Sequence, residues 1–391
     1  MTTDRKIKVL QLQPNYHENS HGYSDLAEQI IVAFPKDRYE ITTAFLQGRP
    51  ASDAEGSRAD KAVYFDLTHN ALRGWRLRLR WMLYRFLKNE RFDVVICNRY
   101  KPVSLLMQLN RWLHIPVCIG ISHGFGEYAP RLRRMSAKLL IDGHWRFVGV
   151  SPAVRDYLLA QNCGFTDRNT VAITNAIDLD AADREQLSRN EARLTLGLPE
   201  SACVVGAAGR LVKVKGHIHL IRAFAQVCAK HPSALLAIIG DGKEGAALER
   251  EIAHLGLTDR VRLQGFVPGA KKYIKAFDIW TMPSLSEGLG LALLEGMSGG
   301  LPVIASDIPA MAPLIHAAGG LAVPPADVAA LAQALDAYLS LTSAERQEKG
   351  MVAHAYVRRN HSIDGYRAAY LALIENALSP HHSDTRTVSS E

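Results

Sequence analysis

The sequence predicts an α/β protein built from two Rossmann-like halves that face each other across a central cleft. Three observations carry this reading. Short apolar runs read as strands and alternate with helical patterns, which implies mostly parallel sheets covered on both faces. The alternation occurs twice, once from Lys6 to Thr174 and again from Ala202 onward. Between the two series, from Ile177 to Glu200, the composition turns charged and alanine-rich, which marks a passage between domains. A chain of 391 residues has room for two such units.

In the first series the strands read at Lys6–Leu12, Ile41–Leu46, Ala62–Phe65, Asp93–Cys97, Pro116–Ile121, Phe147–Val150 and Thr170–Thr174. The first strand feeds a polar loop, Gln13 to Gly22, and then a helix over Asp25–Phe34. This is the usual opening of a βαβ layer, which places ligands at the carboxyl ends of strands. At Ser122-His123-Gly124-Phe125-Gly126 a buried strand ends in a histidine. A lone histidine is more often structural than catalytic, but this position makes His123 a candidate for ligand contact. Ser151, before Pro152, reads as the cap of a helix over Ala153–Leu159.

The second series has strands at Cys203–Ala208, Leu235–Ile239, Val261–Gln264, Ile279–Met282, Pro302–Ala305 and Leu321–Val323. A final helical pattern covers Ala353–Leu378, and the polar tail Ser379–Glu391 reads as disordered. The domains are therefore expected at 1–177 and 178–352.

Composition narrows the function classes. Hydrophobic residues make up 48%, enough for large cores, and Lys plus Arg exceed Asp plus Glu by 46 − 39 = 7. This basic excess suits an anionic substrate or membrane surface. Nucleic acid fits less well, because the basic residues neither alternate with aromatics along a strand nor follow a recognition-helix pattern. The five cysteines form no CxxC pair, and Cys97, Cys118 and Cys203 lie in apolar runs. They read as buried reduced thiols of a cytoplasmic protein. No apolar run approaches 18 residues, and Ile7–Leu10 is too short for a signal segment.

The stretch from Pro283 to Pro302 carries the strongest chemical signal. Glu287 stands in the loop before a helix and Glu295 lies within it, eight residues on, roughly 12 Å if all were helical. Gly288 and Gly290 leave backbone N–H groups bare at the helix start, where an anion is favoured. Carboxylate, anion cradle and second carboxylate match the order sugar, pyrophosphate, ribose in a sugar nucleotide. Taken singly, Glu287 reads as a cap and Glu295 as a solvated side chain. In the same half Arg210 and Lys215, within Gly209 to Gly216, emerge at a strand end and can neutralise a pyrophosphate. Gly240-Asp241-Gly242-Lys243-Glu244-Gly245 fits GxGxxG, but the following strand ends without an acid for an adenosine ribose. Gly240 is read as a tight turn beside a nucleotide.

These positions resemble the retaining glycosyltransferases of family 4, which have the two-domain GT-B fold. Glu287 and Glu295 meet the family's Glu, seven residues, Glu pattern, and Gly209-Arg210-Leu211 with Lys215-Gly216 meets a second. Val150-Ser151, Asn175 to Asp178 and Gly265-Phe266-Val267 match further. The resemblance implies that Glu287 and the amides of Gly288, Leu289, Gly290 and Leu291 contact the transferred sugar. It implies Glu295 on the ribose, Arg210 and Lys215 on the diphosphate, His123 on the sugar from the opposite domain, and Phe266 and Val267 near the base. It further implies that the helix at 353–378 crosses back onto the first domain. Many members carry a Gly-Gly pair in the first loop, where this chain has only Gly22.

The expected function is transfer of a sugar, with retention, from a nucleotide-sugar to a glycan or lipid-linked acceptor. UDP is the implied carrier, and lipopolysaccharide core or another surface glycan the implied product. No Asp-x-Asp cluster stands at a strand end, so side-chain cations rather than a metal are expected to hold the diphosphate, and no cofactor is called for; the nucleotide-sugar is a co-substrate. The alternatives are a nucleotide-sugar epimerase and a non-catalytic nucleotide-sugar-binding protein. Leu72–Lys88 reads as an amphipathic helix, with Leu72, Trp75, Leu79, Met82, Leu83 and Phe86 facing the core. Leu77, Trp81 and Tyr84 lie among arginines on the other side. This is an interfacial-helix pattern for the anionic inner-membrane surface, to which Arg131–Arg146 could add.

Overall fold

The computed structural model describes residues 5–16, 23–50, 56–68 and 77–379. All thirteen strands read from the sequence form, in two all-parallel sheets. The first holds β1 (Ile7–Asn15), β2 (Tyr39–Gln47), β3 (Lys61–Tyr64), β4 (Val94–Asn98), β5 (Val117–Ser122), β6 (Trp145–Gly149) and β7 (Thr170–Ala172), in the order β3-β2-β1-β4-β5-β6-β7. The second holds β8 (Cys203–Ala208), β9 (Ala234–Ile239), β10 (Val261–Leu263), β11 (Ile279–Met282), β12 (Val303–Ser306) and β13 (Leu321–Val323), ordered β10-β9-β8-β11-β12-β13. Strands β4 and β9 are buried throughout, which is why they read as unbroken apolar runs rather than alternating ones. Strand order reverses between β1 and β4 and again between β8 and β11, and ligands gather outside the carboxyl ends of strands at such switch points.

Helices cover both faces. The first half carries α1 (Leu26–Val32), α2 (Leu77–Glu90), α3 (Tyr100–Leu113), α4 (Arg131–Leu140) and α5 (Pro152–Ala160). The second carries α6 (Leu179–Glu185), α7 (Arg189–Leu196), α8 (His217–Val227), α9 (Gly245–His254), α10 (Leu291–Ser298), α11 (Ala312–Ala317), α12 (Val328–Leu339) and α13 (Ser343–Asn360). The last helix, α14 (Ile363–Leu378), packs on α1 and β5 of the first half. One cap read from the sequence, Ser151, holds, and Asp25 supplies another. Asp25 caps α1, accepting from the Glu28 amide, and Ser151 caps α5, accepting from the Val154 amide.

Two expectations need correction. The single helix over Ala353–Leu378 is two helices. At His361 the backbone leaves the helical region (φ −129°), and the ring Nδ1 lies 2.8 Å from the Asn175 carbonyl oxygen. Ser362 then caps α14 by accepting from the Gly365 amide. The 3.6-residue pattern continues across this break, so periodicity did not reveal it. The half of the pattern before the break, in α13, packs on α10 of the second half, and only α14 returns to the first. The second correction concerns Cys203, which is half-buried, whereas Cys97 and Cys118 are fully enclosed. The tail beyond Ser379 lies outside the described residues.

Candidate active site

The carboxyl ends of both sheets meet at one cleft. A cavity of about 670 Å³ is lined by Arg99, His123, Arg210, Lys215, Glu287, Gly288, Leu291 and Glu295, among others. It joins a second cavity of about 480 Å³ on the first-half side, with Arg99, His123 and Arg210 common to both.

The second half supplies the charges. Glu287 follows β11 and accepts a hydrogen bond from Lys215 Nζ at 2.6 Å, with both side chains largely buried. Lys215 sits in a 3-10 turn ending at Gly216, whose φ is +69° and where a Cβ would stand 1.9 Å from the Pro283 carbonyl oxygen. Only glycine permits that approach, which brings Lys215 to the strand end that bears Glu287. Helix α10 begins after Gly290, so its first-turn amides lack partners within the helix and point its positive end at the cavity.

The first half closes over this floor. A Cβ on Gly288 would fall 2.0 Å from the His123 carbonyl oxygen, and the Ser151 hydroxyl donates to the Gly288 carbonyl at 2.6 Å. Ser24 donates to Glu295 Oε1 at 2.8 Å, and Lys271 Nζ lies 3.3 Å from the same hydroxyl. Tyr23, buried in the core of the second half, donates to the Lys271 carbonyl and accepts from Gln186. Burial is the main force holding the Lys271 ammonium below its usual pKa, and the charge of Glu295 works against it.

His123 opens onto the cleft with protein on both sides, and its Nε2 lies 3.1 Å from Asn98 Oδ1. Its pKa is lowered to about 4, first by burial and then by the charge of Arg99. The ring is therefore neutral at ordinary pH and offers one donor and one acceptor. Arg99 follows β4 with φ +67° and ψ 164°, a backbone region costing on the order of 1–3 kcal/mol for a residue with a Cβ.

The structure thus brings together Arg210, Lys215, His123, Glu287, Gly288, Leu291 and Glu295. The remaining candidates stand apart from the two cavities. Leu289 is buried in the core of the second half and a Cβ on Gly290 would meet Met282 at 2.4 Å, so both positions serve the helix start. Gly240 allows the loops after β8 and β9 to cross: a Cβ there would lie 1.9 Å from the Gly209 oxygen. Phe266 is exposed and Val267 half-buried, just before the cavity-lining segment Gly269 to Lys271. Sequence reasoning missed Ser24, Asn98, Arg99 and Lys271. Of these, Asn98 and Arg99 carried a signal, since they end a buried strand. Among the described residues no group of three His, Cys, Asp or Glu side chains is placed to hold a metal ion.

Two facing Rossmann-like domains with a charged site at their strand ends define a GT-B enzyme. The group 1 glycosyl transferases match residues 188–352 and the family 4 glycosyltransferases residues 22–181, and the chain belongs to these glycosyltransferases. Over 325 residues it is 25% identical to the Escherichia coli UDP-Gal:alpha-D-GlcNAc-diphosphoundecaprenol alpha-1,3-galactosyltransferase, covering 78% of this chain and 81% of that one. A shorter alignment reaches 41% identity with LpsD of Rhizobium meliloti, a lipopolysaccharide core biosynthesis glycosyltransferase, but spans only 29% of this chain and 32% of LpsD. The fold matches that of Anabaena HepE in complex with UDP-glucose, with a TM-score of 0.76, 19% identity, 95% of this chain covered and 100% of HepE.

Proposed function

We propose that this enzyme transfers a sugar from a UDP-sugar to a glycan or lipid-linked acceptor, with retention of configuration and without a metal. The observation that carries the reading is the Lys215–Glu287 pair at 2.6 Å beside Arg210 and the start of α10, with His123 opposite. Breaking the sugar–phosphate bond puts negative charge on the diphosphate and positive character on the sugar ring. Arg210, Lys215 and the α10 amides stabilise the first, in a site whose donors are already oriented. Glu287 and neutral His123 hold the transferred sugar from opposite halves, Glu295 takes the ribose, and Phe266 with Val267 borders the base. The freed phosphate is the group best placed to assist the incoming hydroxyl on the face it has just left, which is what retention requires. The kinship with a diphosphoundecaprenol-acting enzyme and with LpsD supports a lipid-linked or surface-glycan acceptor; the cytoplasmic location rests on the buried thiols Cys97 and Cys118 alone.

Such an acceptor is reached at an anionic membrane, and the first half has a surface suited to it. On α2, Leu79, Leu83 and Leu87 are buried, while Leu77 (67% exposed) and Trp81 (60%) point outward among Arg78, Arg85 and Lys88. Met82 and Phe86, expected in the core, are half-buried, as is Tyr84; Leu72 and Trp75 lie outside the described residues. Helix α3 contacts both α2 and α4, so α4 belongs to the same layer. It exposes Leu132, Met135 and Leu139 beside Arg131 and Lys138, and Trp112 of α3 is exposed too.

Incubation with UDP-sugars and no acceptor tests the reaction. Slow release of UDP is the expected result. Conversion of the sugar to its epimer instead would establish the epimerase alternative, and binding with no turnover a non-catalytic role.

A further inference from the structure

Arg99 is a cation that the donor reading leaves without a task. It follows β4 directly, at the switch point of the first sheet, and lines both cavities of the cleft. Its guanidinium caps nothing and makes no hydrogen bond or ion pair with the described residues; its charge is felt by Glu127, a carboxylate that accepts instead from the Ser122 hydroxyl at 2.7 Å. The backbone holds it there in an unfavourable conformation, fixed by its amide donating to the Ile121 carbonyl at 3.0 Å. On the diphosphate side, Arg210, Lys215 and the α10 amides already supply positive charge from the other half.

The smaller cavity, on the first-half side, is where an acceptor would lie. Two carboxylates line it, Asp25 and Glu28, and both are engaged by protein. Glu28 accepts from the Ser57 hydroxyl at 2.8 Å and from the Arg58 amide at 2.7 Å, while Asp25 accepts from the Glu28 amide. Gln13, Asn15 and Asn98 offer neutral polar groups of the kind that grip sugar hydroxyls, beside the rings of Tyr16 and Phe45. A guanidinium that lines such a cavity with no hydrogen-bonded partner among the described residues matches a carboxylate or phosphate through paired N–H donors. The start of α3, immediately after Arg99, adds its positive dipole end.

We infer that Arg99 forms an anion subsite on the acceptor side, so that the acceptor is a saccharide bearing a phosphate or carboxylate near the hydroxyl that is glycosylated. This rests on the glycosyl-transfer reading for the location of the acceptor. The test is calorimetry on the UDP-saturated protein with glucose 6-phosphate, glucuronate and glucose, repeated with Arg99→Ala, Arg99→Gln and Arg99→Lys and with UDP affinity measured for each. At least one charged sugar should bind about tenfold or more tightly than glucose. Which of the two does so identifies the anion. Arg99→Ala and Arg99→Gln should erase the preference and Arg99→Lys keep part of it. UDP affinity should stay within about twofold, as for a residue off the diphosphate. Equal binding of charged and neutral sugars by the wild type overturns the proposal. So does a fall in UDP affinity in Arg99→Ala as large as the loss on the sugar side, which would assign Arg99 to the donor. UDP-sugar hydrolysis by the wild type, run in parallel, separates the two readings: its absence alongside Arg99-dependent binding would count against transfer and not against the subsite.

Discussion

At the scale of single residues, charge placement governs the chemistry. Lys215 and Glu287 neutralise each other across 2.6 Å, so removing either leaves a largely buried charge without its partner as well as a lost contact to substrate. Glu287→Gln and Lys215→Ala should each lower kcat by about 10²–10³-fold in a protein that still folds. Near-normal turnover by either folded variant would move the donor site elsewhere. His123→Ala should also lose most activity, and unchanged turnover would return that ring to a structural role. His217 allows a separate test. It is buried at the start of α8, and its pKa is lowered to about 4, first by burial and then by Lys215. Because the folded value lies below the unfolded 6.5, the unfolded chain binds the proton more readily between those limits. The contribution of this residue is therefore complete above about pH 6.5 and is lost as pH falls toward 4. Melting temperatures of His217→Asn should fall less steeply than those of wild type over that window. Parallel curves would show that His217 does not couple to folding; His123, shifted in the same direction, acts with the same sign.

Among the elements, α2 and α4 present a mixed apolar and cationic surface that no described element covers. Each basic residue close to anionic lipid contributes roughly 1 kcal/mol, and exposed Trp and Leu add burial in the interface. Flotation with vesicles containing anionic lipid should carry the protein upward at low salt and less so at high salt. Trp81→Ala combined with Arg78→Glu and Arg85→Glu should weaken it, and so should Leu132→Ser with Leu139→Ser. Wild-type protein that ignores anionic vesicles at low salt sinks this reading. The break between α13 and α14 is a second matter of elements: removing the cap in Ser362→Ala should cost about 1 kcal/mol, read as a lower melting temperature.

On the scale of the whole molecule, the two halves are joined by two neighbouring crossings. Ile177 donates its amide to the His361 carbonyl, and Ile177 bridges to Ser362. Adjacent crossings of this kind make a natural hinge, and donor binding between the halves should favour the closed form. Small-angle scattering should show compaction on adding UDP-sugar. Gly288→Ala, whose Cβ would meet the His123 carbonyl at 2.0 Å, should bind UDP-sugar without reaching the same compact form. No compaction of the wild type at saturating ligand would count against closure.

Much of this was legible in the chain itself. The strands could be placed because buried parallel strands are apolar on both faces, and the Glu287–Glu295 spacing, Arg210 and Lys215 lie within short continuous segments whose local geometry sets their reach. His123 was legible as a strand end. Tertiary structure alone decided what pairs across the cleft. Ser24 meets Glu295, 271 positions away, and Ser151 meets Gly288, 137 positions away; no local pattern encodes such contacts, since they exist only once two independently patterned sheets face each other. The same holds for Arg99, whose guanidinium has no hydrogen-bonded partner among the described residues, and for α4, whose basic run was legible but whose place in one layer with α2 only packing decides. Periodicity reports that a face is apolar, whereas packing decides whether anything covers it.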